Sequence, residues 1–477
     1  MIGITDIGAY LPRLRLQRSA IAAANVWFDA SLKGHAKGER TMCNWDEDAV
    51  TMAVEAGRDC SNTNSVRMLT LASTTAPFAD RQNAGIIVEA LNLGGNLRTM
   101  DVGGSQRAGT TALLSALDAV AAGNGPAMVV GSEHRKSRVG SPAELYCGDA
   151  AAALVVGRES IVANFLGGHT VNSDFIDHFR GDGDDYDYEW EERWVRDEGY
   201  LKIIPAAVHA LMDQTGNNCA DVDVLIVATA MRRVPQSVAK ALNIAEERLA
   251  DPLIERCGYT GAAHPLLMLA QVLQSAKPGQ KILLTGFGQG CDALLFETTD
   301  NVAALRSTQG VSAALARGVV EENYAKFQTF NGTVEREFGK RAEVDRSPAL
   351  SAHNRNRKMV NGFIGGKCTD CGTVQFPKSH YCVNPNCGKG DTQDDHPMAD
   401  TAGAVMTYTA DRLTFDMNPP AYFGLVEFVG GGRAMVDFTE VDPEGFDVGT
   451  AVRMQFRIKY KDARRGYRTY FWKAAPT

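Results

Sequence analysis

Four cysteines near the end of this 477-residue chain carry its clearest chemistry. Cys368-x2-Cys371 and Cys382-x4-Cys387 are separated by ten residues, and two thiolate pairs on tight turns can close a tetrahedron around Zn2+. Gly366, Gly372 and Gly388 provide the backbone freedom that such knuckles need. Sulfur then fills all four positions and leaves none for water, so the expected metal is structural. Two disulfides or four free thiols are the alternative readings. The other six of the ten cysteines are scattered singly through apolar segments, which fits a reducing compartment and a cytoplasmic location.

The elements that must position these and other reactive residues divide the chain. Residues 1–300 alternate short apolar runs with helical patterns, as βαβ units around buried strands do. Strands are expected at 68–73, 127–132, 151–157, 224–229 and 281–287, and helices at 47–60, 109–123 and 264–276. Each half carries a helix, an apolar strand and another helix, which suggests a duplicated α/β unit with halves at 1–165 and 166–300. Residues 173–200 are aromatic and strongly charged; they read as a solvated loop and helix, or as a cap over a pocket. Residues 301–360 read as a polar helical connector, 361–400 hold the cysteines, and 401–477 alternate apolar and polar residues as a small antiparallel barrel would.

Bulk properties exclude some functions. A net charge of −8 argues against nucleic acid as the main partner. The N-terminal residues lack the layout of a signal peptide. No window approaches roughly 18 consecutive apolar residues, so no membrane span is expected.

Several stretches then point one way: YLPRLRL (10–16), NWDEDAVTMAVEA (44–56), SQRAGTTAL (105–113), GSPAELYCGDAAAALVVG (140–157), GYTGAAHPLLMLA (258–270) and GFGQG (286–290). Together they resemble the thiolase superfamily, nearest its hydroxymethylglutaryl-CoA synthase-like branch. The tail resembles the zinc-ribbon/OB-fold proteins that accompany such enzymes. The resemblance implies a duplicated thiolase-like five-layer α/β fold followed by a rubredoxin-like zinc ribbon and an OB-fold β-barrel. It also implies acyl-CoA substrates, with coenzyme A as substrate or product moiety, and a homodimer or higher homo-oligomer joined near residues 101–104.

The family's chemistry uses a cysteine at the start of a helix, where the helix N-terminus lowers the thiol pKa and offers N–H groups to an oxyanion. Here the matching position falls on Gln106, counted either back from Ala108-Gly109-Thr110 or forward from Asp101. Ser105 lies beside it. The family's acidic residue matches Thr74, and its histidine matches Arg233. On the loop where the superfamily places a polar residue, one register selects Tyr259 and the other Cys257. Tyr259 reads as an acid or oxyanion donor and His264 as an acid or base, or else as a packing aromatic and a helix-start residue. Arg232 and Arg233 suit a carboxylate or CoA phosphates, or stand as a solvated pair. Gly286, Gly288 and Gly290 match the glycine-rich turn near the superfamily's active site. Cys43, Cys147, Cys257 and Cys291 do not fall at the nucleophile position and read as inert buried thiols, the alternative being a relocated nucleophile.

These residues support an enzyme that cleaves or forms a carbon–carbon bond next to a CoA thioester without a covalent acyl-cysteine, by retro-aldol or retro-Claisen chemistry. Thiolase-like steroid side-chain lyases that work with zinc-ribbon/OB partners are the family precedent. The alternatives are a hydroxymethylglutaryl-CoA synthase-like acyltransferase or condensing enzyme, a decarboxylase, or a catalytically degenerate acyl-CoA-binding scaffold.

Overall fold

The computed structural model describes residues 1–61, 63, 65–305, 310–337 and 348–477. The chain forms two units. The first comprises Met1–Asn44, Asp48–Gly85 and Gly95–Thr333; the second comprises Trp45–Glu47, Ile86–Gly94 and Val334–Thr477.

The first unit is built on one nine-stranded mixed sheet. Its strands are β1 (Gly3–Tyr10), β2 (Met68–Ala72), β3 (Arg98–Val102), β4 (Ala127–Glu133), β5 (Ala150–Gly157), β6 (Ala163–Asn172), β7 (Val224–Val227), β8 (Lys281–Phe287) and β9 (Gly290–Thr298). They lie in the order β7-β8-β9-β6-β1-β5-β4-β2-β3. Two half-sheets meet where Gly3 and Ile4 of β1 pair with Asn164 and Ala163 of β6. Strands such as β7 bury both faces, with Ile226 in one core and Leu225 and Val227 in another, so their sequences read as apolar runs rather than alternations.

Helices α2 (Ala108–Ala121) and α5 (His264–Ser275) pack between the half-sheets, whereas α1 (Ala49–Asp59) covers the first half and α3 (Leu201–Thr215) the second, with α4 (Val234–Ala241) following α3. These are the five expected layers. Nearly every residue of α5 from His264 to Leu273 is buried, as a helix sandwiched between sheets requires. The helices begin where local chemistry dictates. Asp48 accepts from the N–H groups of Val50 and Thr51 at the start of α1, and Pro265 occupies the first turn of α5.

The expected connector at 301–360 needs correction. Its residues 310–333 belong to the first unit: helices Gly310–Ala316 and Tyr324–Phe330 flank the strand Val319–Glu321, which pairs in parallel with Leu14–Gln17. Residues 306–309 and 338–347 of that segment lie outside the described residues. Its polar sequence reflects a half-exposed edge ribbon rather than a linker.

In the second unit β10 (Ile364–Cys368), β11 (Val374–Gln375) and β12 (Gln393–Pro397) form the ribbon. Strands β13 (Gly403–Asp411), β14 (Ala421–Phe428), β15 (Arg433–Asp437), β16 (Ala451–Asp462) and β17 (Tyr467–Pro476) lie in the order β15-β14-β13-β16-β17. A bridge between Phe438 and Ala474 brings the outer strands together and closes the barrel. No described helix is long and apolar enough to cross a membrane.

Contact between α2 and the chain before α5 leaves no room for a side chain at Gly109: a Cβ there would stand 2.2 Å from the Ala262 carbonyl oxygen. Gly109→Ala is expected to cost about 1–3 kcal/mol through overpacking, read as a lower urea midpoint with an unchanged m-value. An unaltered midpoint would mean that this helix approach does not constrain the fold.

Candidate active site and zinc centre

Gln106 sits in the turn between β3 and α2. Beneath it, the buried Asp292 of β9 accepts hydrogen bonds from Thr110 (2.9 Å), Thr111 (2.7 Å) and Thr170 (2.8 Å) and pairs with Arg107 at 3.4 Å. The glycine turn presses against the same helix start. Ser105 donates to the Gly288 carbonyl at 2.9 Å, and a Cβ on Gly288 would fall 2.5 Å from the Ser105 hydroxyl and 3.2 Å from the Gln106 nitrogen. Gly286 faces Thr110, and Gly290 faces Val171 and Arg107. Ser105 and Gln106 therefore meet Gly288, while Gly286 and Gly290 press on Thr110 and Arg107 of the same helix start.

A polar cluster surrounds the Gln106 amide. Arg135 can only donate, so the amide turns its oxygen toward Arg135 (3.1 and 3.2 Å) and toward His178 Nε2 (3.0 Å), and its nitrogen toward the Tyr259 hydroxyl (2.7 Å). His178 Nδ1 faces Asp177 at 2.9 Å. Both ring nitrogens of His178 thus face acceptors. Gln289 holds the other Asp177 oxygen at 3.0 Å. Arg135 also pairs with Asp187, as does Arg180 at 3.3 Å. Thr74 lies in the same group. Its N–H donates to Glu133 at 2.6 Å, its hydroxyl contacts Glu133 and Arg135, and its carbonyl accepts from Arg180.

Asp177, His178, Arg180 and Asp187 all come from the aromatic, charged segment 173–200. A short hairpin of His178–Phe179 with Tyr188–Glu189 presents them, and Tyr146 donates to Glu189 beside it. Sequence reasoning did not single out His178. The signal available was the density of charge and aromatic residues in a segment that the halves of the fold did not need.

Burial, with Tyr200 as a secondary cause, pushes the Tyr259 phenol well above its usual range, so it stays protonated as a donor. Since its oxygen accepts from Gln106, its own hydrogen is directed elsewhere. His264 is a correction to the expected acid or base. It is fully buried behind the Tyr259 ring, with Nδ1 against Thr260 (3.1 Å) and Nε2 against the Pro252 carbonyl (3.0 Å). Burial lowers it to about 4, which suits a neutral structural ring. Arg232 and Arg233 stand exposed at the start of the helix Val234–Ala241, where Arg233 lines a cavity of about 670 Å³ with Gln236, Ser237 and Lys240. They do not join the Gln106 cluster. A further cavity of about 460 Å³ runs beside Arg107, Thr111, Thr170 and Asp292. Burial raises Cys147 to about 11 and Cys257 to about 12, and raises Cys291 as well, so none is poised as a thiolate.

In the second unit the sulfurs of Cys368, Cys371, Cys382 and Cys387 lie within 4.8 Å of one another. Cys368 and Cys387 are 3.9 Å apart, and Cys371 and Cys382 are 3.5 Å apart, close to the edges of a tetrahedral Zn–S4 site. The residues fit structural zinc, which the four thiolates would hold.

Two outcomes follow from this geometry. Cys371→Ser should remove the zinc held by the ribbon and destabilise the second unit, read by elemental analysis and by loss of its melting transition; retention of that zinc would refute the ligand set. For His264, the folded value of about 4 lies below its ordinary 6.5. The neutral ring's contribution is therefore fully present above pH 6.5 and is lost as pH falls toward 4, a difference of roughly 3 kcal/mol. Urea midpoints of wild type should fall more steeply across that window than those of His264→Gln, and parallel slopes would contradict the assignment.

Comparison with known proteins places these features. Residues 212–296 match the family 3-oxoacyl-[acyl-carrier-protein (ACP)] synthase III C terminal. Residues 355–393 match the ChsH2 rubredoxin-like zinc ribbon domain, and 396–457 the ChsH2 C-terminal OB-fold domain. Hydroxymethylglutaryl-CoA synthases of Pyrobaculum arsenaticum and Pyrobaculum aerophilum are 30% and 29% identical over 340 residues, each match covering 68% of this chain and 96% of the relative. Among solved structures, an HMG-CoA synthase complexed with CoA superposes with a TM-score of 0.64 at 16% identity, covering 73% of this chain and 94% of that one. The 3-oxoacyl-(acyl carrier protein) synthase III of Pseudomonas aeruginosa gives 0.56 at 19% identity, covering 62% and 98%. A thiolase-like body with these relatives and a ChsH2-type tail identifies the chain as a member of the hydroxymethylglutaryl-CoA synthase family, extended by a zinc ribbon and an OB-fold.

Proposed function

We propose that the first unit is a condensing-type enzyme that acts on an acyl-CoA and makes a carbon–carbon bond next to the thioester without passing through an acyl-enzyme. The observation that carries this reading is the imidazole–carboxylate pair of His178 and Asp177, set against an amide at the position where the family's nucleophilic cysteine would stand. The relatives' names favour condensation as the class of reaction.

In an aldol-type condensation the carbon next to the thioester loses a proton. The resulting enolate carbon attacks a carbonyl of the second substrate, and the new alkoxide takes up a proton. Both His178 nitrogens face acceptors, Asp177 and the Gln106 oxygen. Once substrate displaces the Gln106 amide from Nε2, His178, oriented by Asp177, is the group suited to carry that proton. Tyr259 and Arg135 are donors suited to the enolate or alkoxide oxygen in a largely dry site. Gln106 holds His178 and Tyr259 in register rather than reacting. The insert 173–200 covers the cluster and would move for substrate to enter. Arg232 and Arg233, exposed beside the cavity that Arg233 lines, have the chemistry to bind the phosphates or a carboxylate of the CoA substrate. A homodimer formed through the terminal strand β3 and a cytoplasmic location belong to the same reading.

A cleavage reading of the same site is favoured by Gln106 itself. In a retro-aldol step the β-hydroxyl gives its proton to the base, the bond between the α- and β-carbons breaks to leave a carbonyl, and the electron pair passes to the thioester enolate. No acyl group moves to the protein, so no thiol is needed.

The deciding experiment offers the purified protein β-hydroxyacyl-CoAs, and acyl-CoAs paired with carbonyl acceptors, with products followed by mass spectrometry. On a verified substrate, His178→Gln and Tyr259→Phe should each lower turnover by at least about 10²-fold with little change in melting temperature, and quenched protein should carry no acyl adduct. Near-wild-type turnover of both variants would defeat the site model, and an adduct on any cysteine would defeat the mechanism.

A further inference from the structure

A second group of potential ligands lies in the first unit, on the other side of the strand end that carries Glu133 and Arg135. We propose that Cys43, His134 and Asp149 form a site for a divalent cation of the zinc class, separate from the ribbon. Cys43 follows the strand Glu39–Met42, His134 follows β4, and Asp149 precedes β5. The topology therefore brings three strand ends together, and the cysteine sulfur, an imidazole nitrogen and a carboxylate oxygen lie within 4.8 Å of one another.

Zinc with bonds of about 2.0–2.3 Å spaces its ligand atoms roughly 3.5 Å apart. His134 Nδ1 and Asp149 Oδ1 already stand 3.2 Å apart. The two carboxylate oxygens have different surroundings. Oδ2 accepts from the Cys43 N–H at 2.9 Å and faces the Arg40 guanidinium at 3.8 Å, an arrangement that orients a ligating carboxylate from behind. Oδ1 and His134 Nδ1 are shielded from solvent, yet among the described residues neither has a hydrogen-bond partner in good geometry. Asp149 is fully buried, and its Oδ1 is answered by the His134 ring at 3.2 Å in imperfect geometry. A cation held between that oxygen and His134 Nδ1 would give both a well-directed partner.

The donor set selects the metal. One thiolate, one imidazole and one carboxylate suit zinc rather than magnesium or calcium, which take oxygen ligands. Three protein ligands leave one position, and the Met52 sulfur lies 3.7 Å from the Cys43 sulfur. On binding, the Cys43 thiol releases its proton to solvent. Because His134 lies between Glu133 and Arg135, occupation would fix the strand end from which both reach the Gln106 cluster.

The test is metal content of the full chain after zinc reconstitution and removal of excess metal, with Co2+ as a spectroscopic substitute. Wild type should hold two equivalents, and Cys43→Ala and His134→Ala one each. Cys371→Ser should keep one, with a cobalt spectrum of single-thiolate type that differs from that of the four-sulfur ribbon. The His134 side chain is partly exposed, at 19%, so its variant should fold even where loss of the buried cysteine is not tolerated. One equivalent in wild type, lost entirely in Cys371→Ser, would overturn the site and leave His134 and Asp149 as a directly paired imidazole and carboxylate. Two equivalents that persist in both His134→Ala and Cys43→Ala would also overturn it.

Discussion

Burying the Arg135 guanidinium sets the terms for the whole candidate site. Such a group has five N–H donors and no acceptor, and it is unstable away from water unless carboxylates and carbonyls surround it. Burial acts to lower its pKa, but Asp187 and Glu133 outweigh this and hold the charge in place. Arg135 also dictates the orientation of Gln106, because only the amide oxygen can face it. The amide nitrogen must then face Tyr259, and His178 must meet the oxygen. The insert is held by the same charge, since its Asp187 is the nearest counter-ion to a cation embedded in the body.

The framework beneath this cluster depends on close backbone approach. Gly109 lets α2 meet the chain ahead of α5, and Gly288 lets the turn between β8 and β9 rest on Ser105 and Gln106. Asp292 then gathers three threonine hydroxyls and Arg107 below the helix start. These contacts hold the backbone at position 106 against the glycine turn.

The second unit solves a different problem. A small barrel and a ribbon have little apolar volume to bury, and such folds usually need a further staple. Four thiolates offer one in the ribbon. Another is a buried ionic network: Lys473 meets Asp46 at 2.8 Å, and Arg457 meets Glu440 at 2.8 Å and Glu47 at 3.2 Å. Burial alone would raise the Asp46 carboxyl, but Lys473 and Arg457 hold it below its ordinary value. Removing one partner from such a network leaves an uncompensated charge, so its members act together.

Sequence alone determined the local elements and the chemistry written at short spacing. Central strands such as 68–72 and 281–287 and helices such as 264–275 were legible because strands buried on both faces and sandwiched helices carry long apolar runs. The zinc ligands were legible because two cysteine pairs bring their own geometry with them. Gln106 was singled out by counting from a nearby helix start, and α2 does begin at Ala108. What the tertiary structure decided was which distant side chains reach it. His178 and Asp187 lie in a polar insert whose sequence resembles any solvated loop. His264 looked like an acid or base beside Tyr259, but Pro252 and Thr260 close both its nitrogens. Cys43, His134 and Asp149 are separated by up to about a hundred residues and share no motif. Periodicity and spacing record what a residue does to its own strand or helix; convergence of separate strand ends is set by sheet order, which no local pattern encodes.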